Sequence, residues 1–209
     1  MLSFDYLAAP GQLGNQMFKY AALRGIAENN NYDFLVPPSK YFIEKNKQLN
    51  KLYRKFFSYS YQNHLLFKYF EMRTVPKDNI RFSKFKESQK PISHMFDEEL
   101  FNNCTDNIQL NGFYQSPKYF MNVEETIRED FKFKKQIIKK GNKLFLDFKP
   151  TCTVHIRRGD YLTNPNHFAL DLDYYYEAAE LLDKDSMFAI FTDDINWFNS
   201  NDFFKNKNF

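Results

Sequence analysis

The chain has 209 residues and a mass of 25.2 kDa, with 43% hydrophobic and 26% charged residues. That composition excludes a disordered or collagenous chain and is enough for one large domain or one and a half small ones. Lys and Arg total 29 against 26 Asp and Glu, so the net charge is only +3, too small to point to nucleic acid.

In chain order, Leu2 to Leu7 is a short apolar run with aromatics at Phe4 and Tyr6 and reads as a first strand. Pro10-Gly11 breaks it. Asn15 is expected to cap a helix starting near Gln16, with Phe18, Ala21, Ala22 and Gly25 on its buried face. Asp33 to Val36 predicts a second strand, stopped by Pro37-Pro38, and the whole is a βαβ unit. Tyr41 to Phe70, rich in Lys, Asn, Tyr and Phe, reads as helices or an irregular insertion, and Met72 to Pro91 as loop. Ile108 to Phe113 predicts a strand followed by a turn at Ser116-Pro117. Val123 to Phe131 and Lys135 to Phe145 have helical spacing.

The clearest pattern begins at Thr151. Cys152, Val154 and Ile156 alternate with Thr153, His155 and Arg157, a strand whose end carries charge. Leu172, Tyr175, Tyr176, Ala179 and Leu182 form a helical stripe, and Met187 to Phe191 is an apolar strand running into Thr192-Asp193-Asp194. This is βαβ again, with a domain boundary expected near Pro150. In open parallel sheets ligands bind beyond the carboxyl ends of the strands, where Arg157, Arg158 and Asp160 stand at one end and Asp193 and Asp194 at the next.

Three clusters carry chemistry. In Gly11-Gln12-Leu13-Gly14-Asn15-Gln16 two glycines between strand and helix let the backbone approach a ligand, and the helix start offers N–H groups to an anion. The third glycine of a dinucleotide fingerprint is missing, and a structural turn is the other reading. In His155-Ile156-Arg157-Arg158-Gly159-Asp160-Tyr161 the arginines suit bidentate recognition of phosphate. One would reach the ligand while the other pairs with a carboxylate; a surface salt bridge alone is the other reading. In Thr192-Asp193-Asp194 the carboxylates are candidates for a metal, for a polar contact to a substrate, or for a helix N-cap at Asp194.

At these points the sequence resembles the α-1,2-fucosyltransferases of glycosyltransferase family 11. The run Gly11 to Ala21 is similar to the family's opening motif, with Gln12 in place of a glycine and Lys19 in place of the usual Gln. His155 to Tyr161 looks like its HxRRxD donor motif, and Gly112-Phe113-Tyr114-Gln115-Ser116-Pro117-Lys118-Tyr119-Phe120 resembles its central stretch. His167…Asp173-Tyr174-Tyr175…Ala178 and Phe191 to Trp197 are also similar. The resemblance implies an α/β, GT-B-like fold. Residues 1–150 would be a Rossmann-like, acceptor-side domain with a helical insertion at about 40–105, and 151–209 the start of a Rossmann-like GDP-fucose-binding domain. It implies transfer of L-fucose from GDP-fucose to the 2-hydroxyl of a galactose-containing glycan acceptor, with inversion and with neither metal nor other cofactor. Arg157 would stabilise the charge on the departing diphosphate and Asp160 would orient the arginines. His155, Arg158, Asp193 and Asp194 would contact the donor, and Gly11, Gly14, Asn15 and Gln16 would form an acceptor or phosphate loop. No residue is singled out as general base.

The stretch after Pro150 has room for roughly two βα units, fewer than a nucleotide-binding sheet uses, so the chain is expected to be C-terminally shortened. Phe188, Phe191, Trp197, Phe198, Phe203 and Phe204 would then form an exposed apolar surface. A non-catalytic GDP-sugar- or glycan-binding remnant is the alternative from another class. Nucleic-acid binding is disfavoured, since the 19% aromatic residues are spread along the chain, as core filling would have them, and not interleaved with one basic patch. Cys104 and Cys152 lack the spacing of a zinc site or disulfide framework. Asn103-Cys104-Thr105 fits a glycosylation sequon by chance. No run is long enough to span a membrane and the N-terminus lacks the regions of a signal peptide. The expected location is the cytoplasm, with a peripheral position at the inner face of the membrane left open.

Overall fold

The computed structural model describes residues 1–4, 7–8, 11–36, 65–72, 88–89, 95–145 and 150–205. The chain divides into two compact units, Met1–Ile138 and Lys139–Phe209. Both contain parallel sheet, so the fold is mixed α/β.

The first unit is built on four short strands, β1 (Leu2–Ser3), β2 (Phe34–Leu35), β3 (Ser88–Gln89) and β4 (Gln109–Leu110), all paired in parallel in the order β2-β1-β4-β3. The expected strands are present but only two residues long. The strand at 88–89 lies in the stretch read as loop; two polar residues carry no alternation that a pattern could reveal. Of the stretch 41–70 expected as helices or an irregular insertion, residues 41–64 lie outside the described residues. At its end stands α2 (Leu65–Tyr69), and further on α3 (Glu98–Asn103), capped by Asp97 accepting from the Leu100 N–H.

Helix α1 (Leu13–Asn29) starts earlier than Asn15 capping would allow. Gly11 takes φ of +112°, a conformation open to glycine, and Gln12 is extended, so the chain turns into the helix before Asn15 is reached. The expected one-sided face is also too narrow. Gln16, Lys19, Tyr20, Leu23, Ile26 and Ala27 are buried along with Ala21, Ala22 and Gly25. The helix packs on β1 and β2, on α2 and α3, and on the 3-10 turns Pro117–Tyr119 and Met121–Val123, so core surrounds most of its circumference. Gly25 permits that closeness, because a Cβ there would collide with the Tyr119 carbonyl oxygen, and Asn122 Nδ2 donates to the Gly25 carbonyl at 2.9 Å. Helices α4 (Glu124–Asp130) and α5 (Lys135–Leu144) follow, within the ranges that the spacing predicts.

Lys19 is buried with its ammonium 5.8 Å from the Phe4 ring centroid and 5.2 Å from that of Phe113. Lost hydration pulls its pKa from 10.5 down to about 8. Between those values the unfolded chain keeps the proton and the folded chain releases it, so this group makes stability rise with pH through that window. Burial pushes the Cys104 thiol from 9.0 up to about 11, which acts in the opposite sense above pH 9. Comparison with Lys19→Gln isolates the lysine. The wild type should gain up to roughly 3 kcal/mol on the variant between about pH 7.5 and about pH 10.5, since each tenfold difference in proton affinity is worth about 1.4 kcal/mol. Urea titrations at both pH values measure it; a constant gap would show that Lys19 does not titrate there.

In the second unit β5 (Cys152–Ile156) pairs in parallel with β6 (Phe188–Thr192), from Cys152 opposite Phe188 to Ile156 opposite Thr192. Between them lies α6 (Leu172–Glu180), capped by Asp171, and after them come α7 (Ile195–Ser200) and α8 (Asp202–Lys205). Ile156, Tyr175, Phe203 and Phe204 are buried together, with Val154, Leu172, Ile190, Trp197 and Phe198 against them. The expectation that Phe188, Phe203 and Phe204 stay exposed is therefore wrong: all three are buried. The short α8 folds back, placing Phe204 4.9 Å from Phe198 and 6.0 Å from Tyr175, and Phe203 4.0 Å from Tyr176 (ring centroids). Aromatic packing closes this small core where few aliphatic residues are on hand. Phe191 does remain exposed, while Trp197 and Phe198 are half-buried.

Candidate functional site

Six of the predicted site residues converge in the second unit, at the carboxyl ends of β5 and β6. The strand pairing puts His155 opposite Phe191 and brings the segment after Ile156 beside the one after Thr192. Arg157 Nε and Nη2 donate to Asp160 Oδ1 at 3.2 and 3.1 Å, and Nη2 to Oδ2 at 3.0 Å. Its guanidinium lies 4.6 Å from the Tyr161 ring centroid, and Tyr161 stacks on His167 at 4.4 Å. Both members of this ion pair are exposed, so it is worth little and opens at little cost.

Arg158 is held differently. Its Nε donates to Asp194 Oδ2 at 3.3 Å, and its guanidinium lies 4.2 Å from the Trp197 ring centroid. Its backbone N–H donates to Asp193 Oδ1 at 2.8 Å. That bond, with a second from the Gly159 N–H, holds the Asp193 carboxyl below the usual carboxylate range. A Cβ at Gly159 would sit 2.9 Å from Asp193 Oδ2, so the glycine lets the carboxylate close on the turn. Asp194 is the N-cap of α7: its Oδ1 accepts from the Trp197 N–H at 3.0 Å, and its own N–H donates to Thr192 Oγ1 at 3.0 Å. Each arginine thus has its own carboxylate, and the two aspartates that follow β6 are engaged by the turn after β5. Among the described residues no group of three or more His, Cys, Asp or Glu could hold a metal ion.

A groove of about 250 Å3 runs beside β5, lined by His155, Thr153, Leu170, Tyr174, Leu182 and others. It is smaller than the roughly 300–1,000 Å3 of most small-molecule sites, so it could take only part of a large ligand.

Gly11, Gly14, Asn15 and Gln16 belong to the first unit. Gly14 lies exposed in the first turn of α1, where an added side chain would meet nothing. Asn15 Oδ1 accepts from Gln115 Nε2 at 2.7 Å, joining the opening motif to the central one. Gln16 is buried and braces two segments, donating to the Ala8 carbonyl at 3.3 Å and accepting from the Leu65 N–H at 2.8 Å. Gln115 is preceded by Tyr114, which takes a φ of +54°, unfavourable for an aromatic residue. Burial of its ring against Phe4 and Tyr119, at 5.6 and 5.1 Å, holds it there.

Sequence reasoning named Tyr161 only as part of a motif and Trp197 as part of a motif and of an exposed apolar surface, and assigned neither a contact with the arginines. The spacing held a clue: Tyr161 stands four residues after Arg157, and Trp197 three after the capping Asp194.

Among curated proteins the chain is similar to the O-antigen biosynthesis glycosyltransferase WbnK of Escherichia coli, 24% identical over 223 residues that cover 92% of this chain and 73% of that protein. It is also similar to an alpha-1,2-colitosyltransferase of Escherichia coli, 28% identical over 210 residues that cover 90% of this chain and 68% of that one. No solved structure matches the chain. No helix among the described residues is long and apolar enough to cross a membrane. The sequence profile of glycosyl transferase family 11 matches residues 4–207, nearly the whole chain, and the protein with its paired arginine turn belongs to that family of glycosyltransferases, enzymes that move a sugar from a nucleotide-sugar donor to a glycan acceptor.

Proposed function

We propose that the protein transfers L-fucose from GDP-fucose to the 2-hydroxyl of a galactose-type glycan acceptor, with inversion. The observation that carries this reading is the exposed Arg157–Asp160 pair beyond the carboxyl end of β5, in a chain of family 11. In it the acceptor oxygen attacks C1 of the fucose from the face opposite the diphosphate. The bond from C1 to the phosphate oxygen breaks through an oxocarbenium-like state, and the acceptor hydroxyl passes its proton to water. Negative charge grows on the departing GDP, and the Arg157 guanidinium, released from Asp160, offers its planar fork to that charge. His155, at the same strand end, would contact the donor. The architecture would be GT-B, with residues 1–150 on the acceptor side and 151–209 on the donor side. Work on a nucleotide sugar in the cytoplasm, with peripheral contact to the membrane, would suit it.

The reaction should need no metal. Asp193 and Asp194 are the carboxylates that a divalent ion would want. They are committed to the N–H groups of Arg158, Gly159 and Trp197 and to the Arg158 guanidinium, and a cationic side chain can do the work of the ion. EDTA should leave turnover unchanged; loss with EDTA and recovery with manganese would contradict this.

The decisive experiment is GDP release from GDP-fucose in the presence of a galactoside, with the linkage of the product read by NMR. Binding of GDP without release of sugar would instead indicate a non-catalytic binding protein. A second reading takes colitose as the sugar moved, since one relative is named for that transfer; release with the colitosyl donor and none with the fucosyl donor would decide for it.

A further inference from the structure

Resting on the reading of this turn as the diphosphate site, we propose that Arg158 is a positioning residue and not a ligand for the donor. Clamped between the Asp194 carboxylate and the face of Trp197, it fixes the 157–160 turn that presents Arg157.

The two adjacent arginines differ in every respect that bears on this. The Arg157 side chain is 43% exposed and its carboxylate partner 60%, within one local i,i+3 pair. The Arg158 side chain is 17% exposed and its partner 27%, and that partner follows the other strand of the sheet. To reach a phosphate Arg158 would have to leave both a carboxylate and an indole face, a cation–π contact whose worth grows as water is removed.

The surrounding bonds form a closed set. The Arg158 N–H, with that of Gly159, is held by Asp193, and its guanidinium by Asp194. Asp194 caps α7 through the Trp197 N–H, and the Trp197 ring returns to cover the Arg158 guanidinium. Backbone and side chain of Arg158 are thus pinned by the two consecutive aspartates between β6 and α7, which leaves the neighbouring Arg157 directed by the turn.

The test has one arm that needs no nucleotide and one that uses GDP. Hydrogen exchange is measured at the amides of 158 and 159 in the full chain and in Arg158→Ala, Trp197→Leu, Trp197→Phe and Phe204→Leu. Phe204 packs 5.8 Å from Trp197 in the same aromatic core, so its replacement controls for general loosening of that core. The proposal expects protection to fall in Arg158→Ala and Trp197→Leu, to return in Trp197→Phe, which keeps a ring face, and to persist in Phe204→Leu. Unchanged protection in Trp197→Leu, or equal loss in Phe204→Leu, would overturn it.

In the second arm GDP affinity should fall about tenfold in Arg158→Ala and in Trp197→Leu alike, with little further loss in the double variant, as for residues that act through one another. A tenfold loss in Arg158→Ala alone, with Trp197→Leu binding normally, would make Arg158 a direct ligand and end the proposal. Failure of the parent chain to bind GDP would refute the donor reading instead, and the exchange arm would still decide the clamp.

Discussion

Arg157→Lys is expected to lower sugar transfer by roughly ten- to ten-thousandfold while leaving the fold intact. The parent guanidinium makes three hydrogen bonds to the two oxygens of Asp160, a forked geometry that can equally engage two oxygens of a phosphate group. Lysine keeps the charge but loses the planar fork that aims two parallel N–H groups at two oxygens. A charge-assisted hydrogen bond is worth about 1.5–3 kcal/mol, and each 1.4 kcal/mol of transition-state stabilisation is about tenfold in rate. Loss of one or two such bonds therefore amounts to roughly ten- to ten-thousandfold. Turnover measured with saturating donor and acceptor, beside an unchanged melting curve, checks the claim. A lysine variant with near-parental turnover would remove Arg157 from the transition state.

Asp130→Ala should destabilise the first unit by about 3–5 kcal/mol, with a fall in melting temperature of roughly 10–20 °C. Asp130 is fully buried at the end of α4. Its Oδ2 accepts from the Tyr20 hydroxyl at 2.7 Å and from Arg24 Nη1 at 2.6 Å, both on α1. Arg24 Nη1 also donates to the tyrosine oxygen at 3.2 Å. Removal of the carboxylate takes this acceptor from a cation and a hydroxyl in a place that water does not reach freely. Loss of one member of such a pair costs more than the pair itself contributes. Asp130→Asn keeps an acceptor oxygen and should cost less than the alanine. Denaturant unfolding of the two variants measures the difference; equal stability of Asp130→Ala and the parent would show that the network holds nothing.

The parts of this protein that depend on near neighbours in the chain were legible in its amino-acid order. Alternation from Cys152 to Ile156 and the apolar run ending at Thr192 marked two strands, because a half-buried strand must repeat every second residue. Asp194 before Ile195 offered a helix cap, because a cap needs only a carboxylate and an N–H three residues on. The motif Gly11 to Ala21 and the arginine turn were legible for the same reason, and they carried the resemblance to the family.

What depends on distant partners emerged only on folding. No local pattern joins Asp130 to Tyr20 and Arg24, more than a hundred residues away. Nor does any assign Arg158 to Asp194 and Trp197 while Arg157 keeps Asp160. The burial of Phe203 and Phe204 reversed the expectation because a helix of four residues turned back onto α6 and α7, a choice made by aromatic packing and not by any periodicity. Ser88 and Gln89 became a strand only because the edge of β4 was there to pair with them. Hydrogen-bond ladders and buried charges are satisfied by whichever group the fold brings within reach, and that reach is a property of the folded chain.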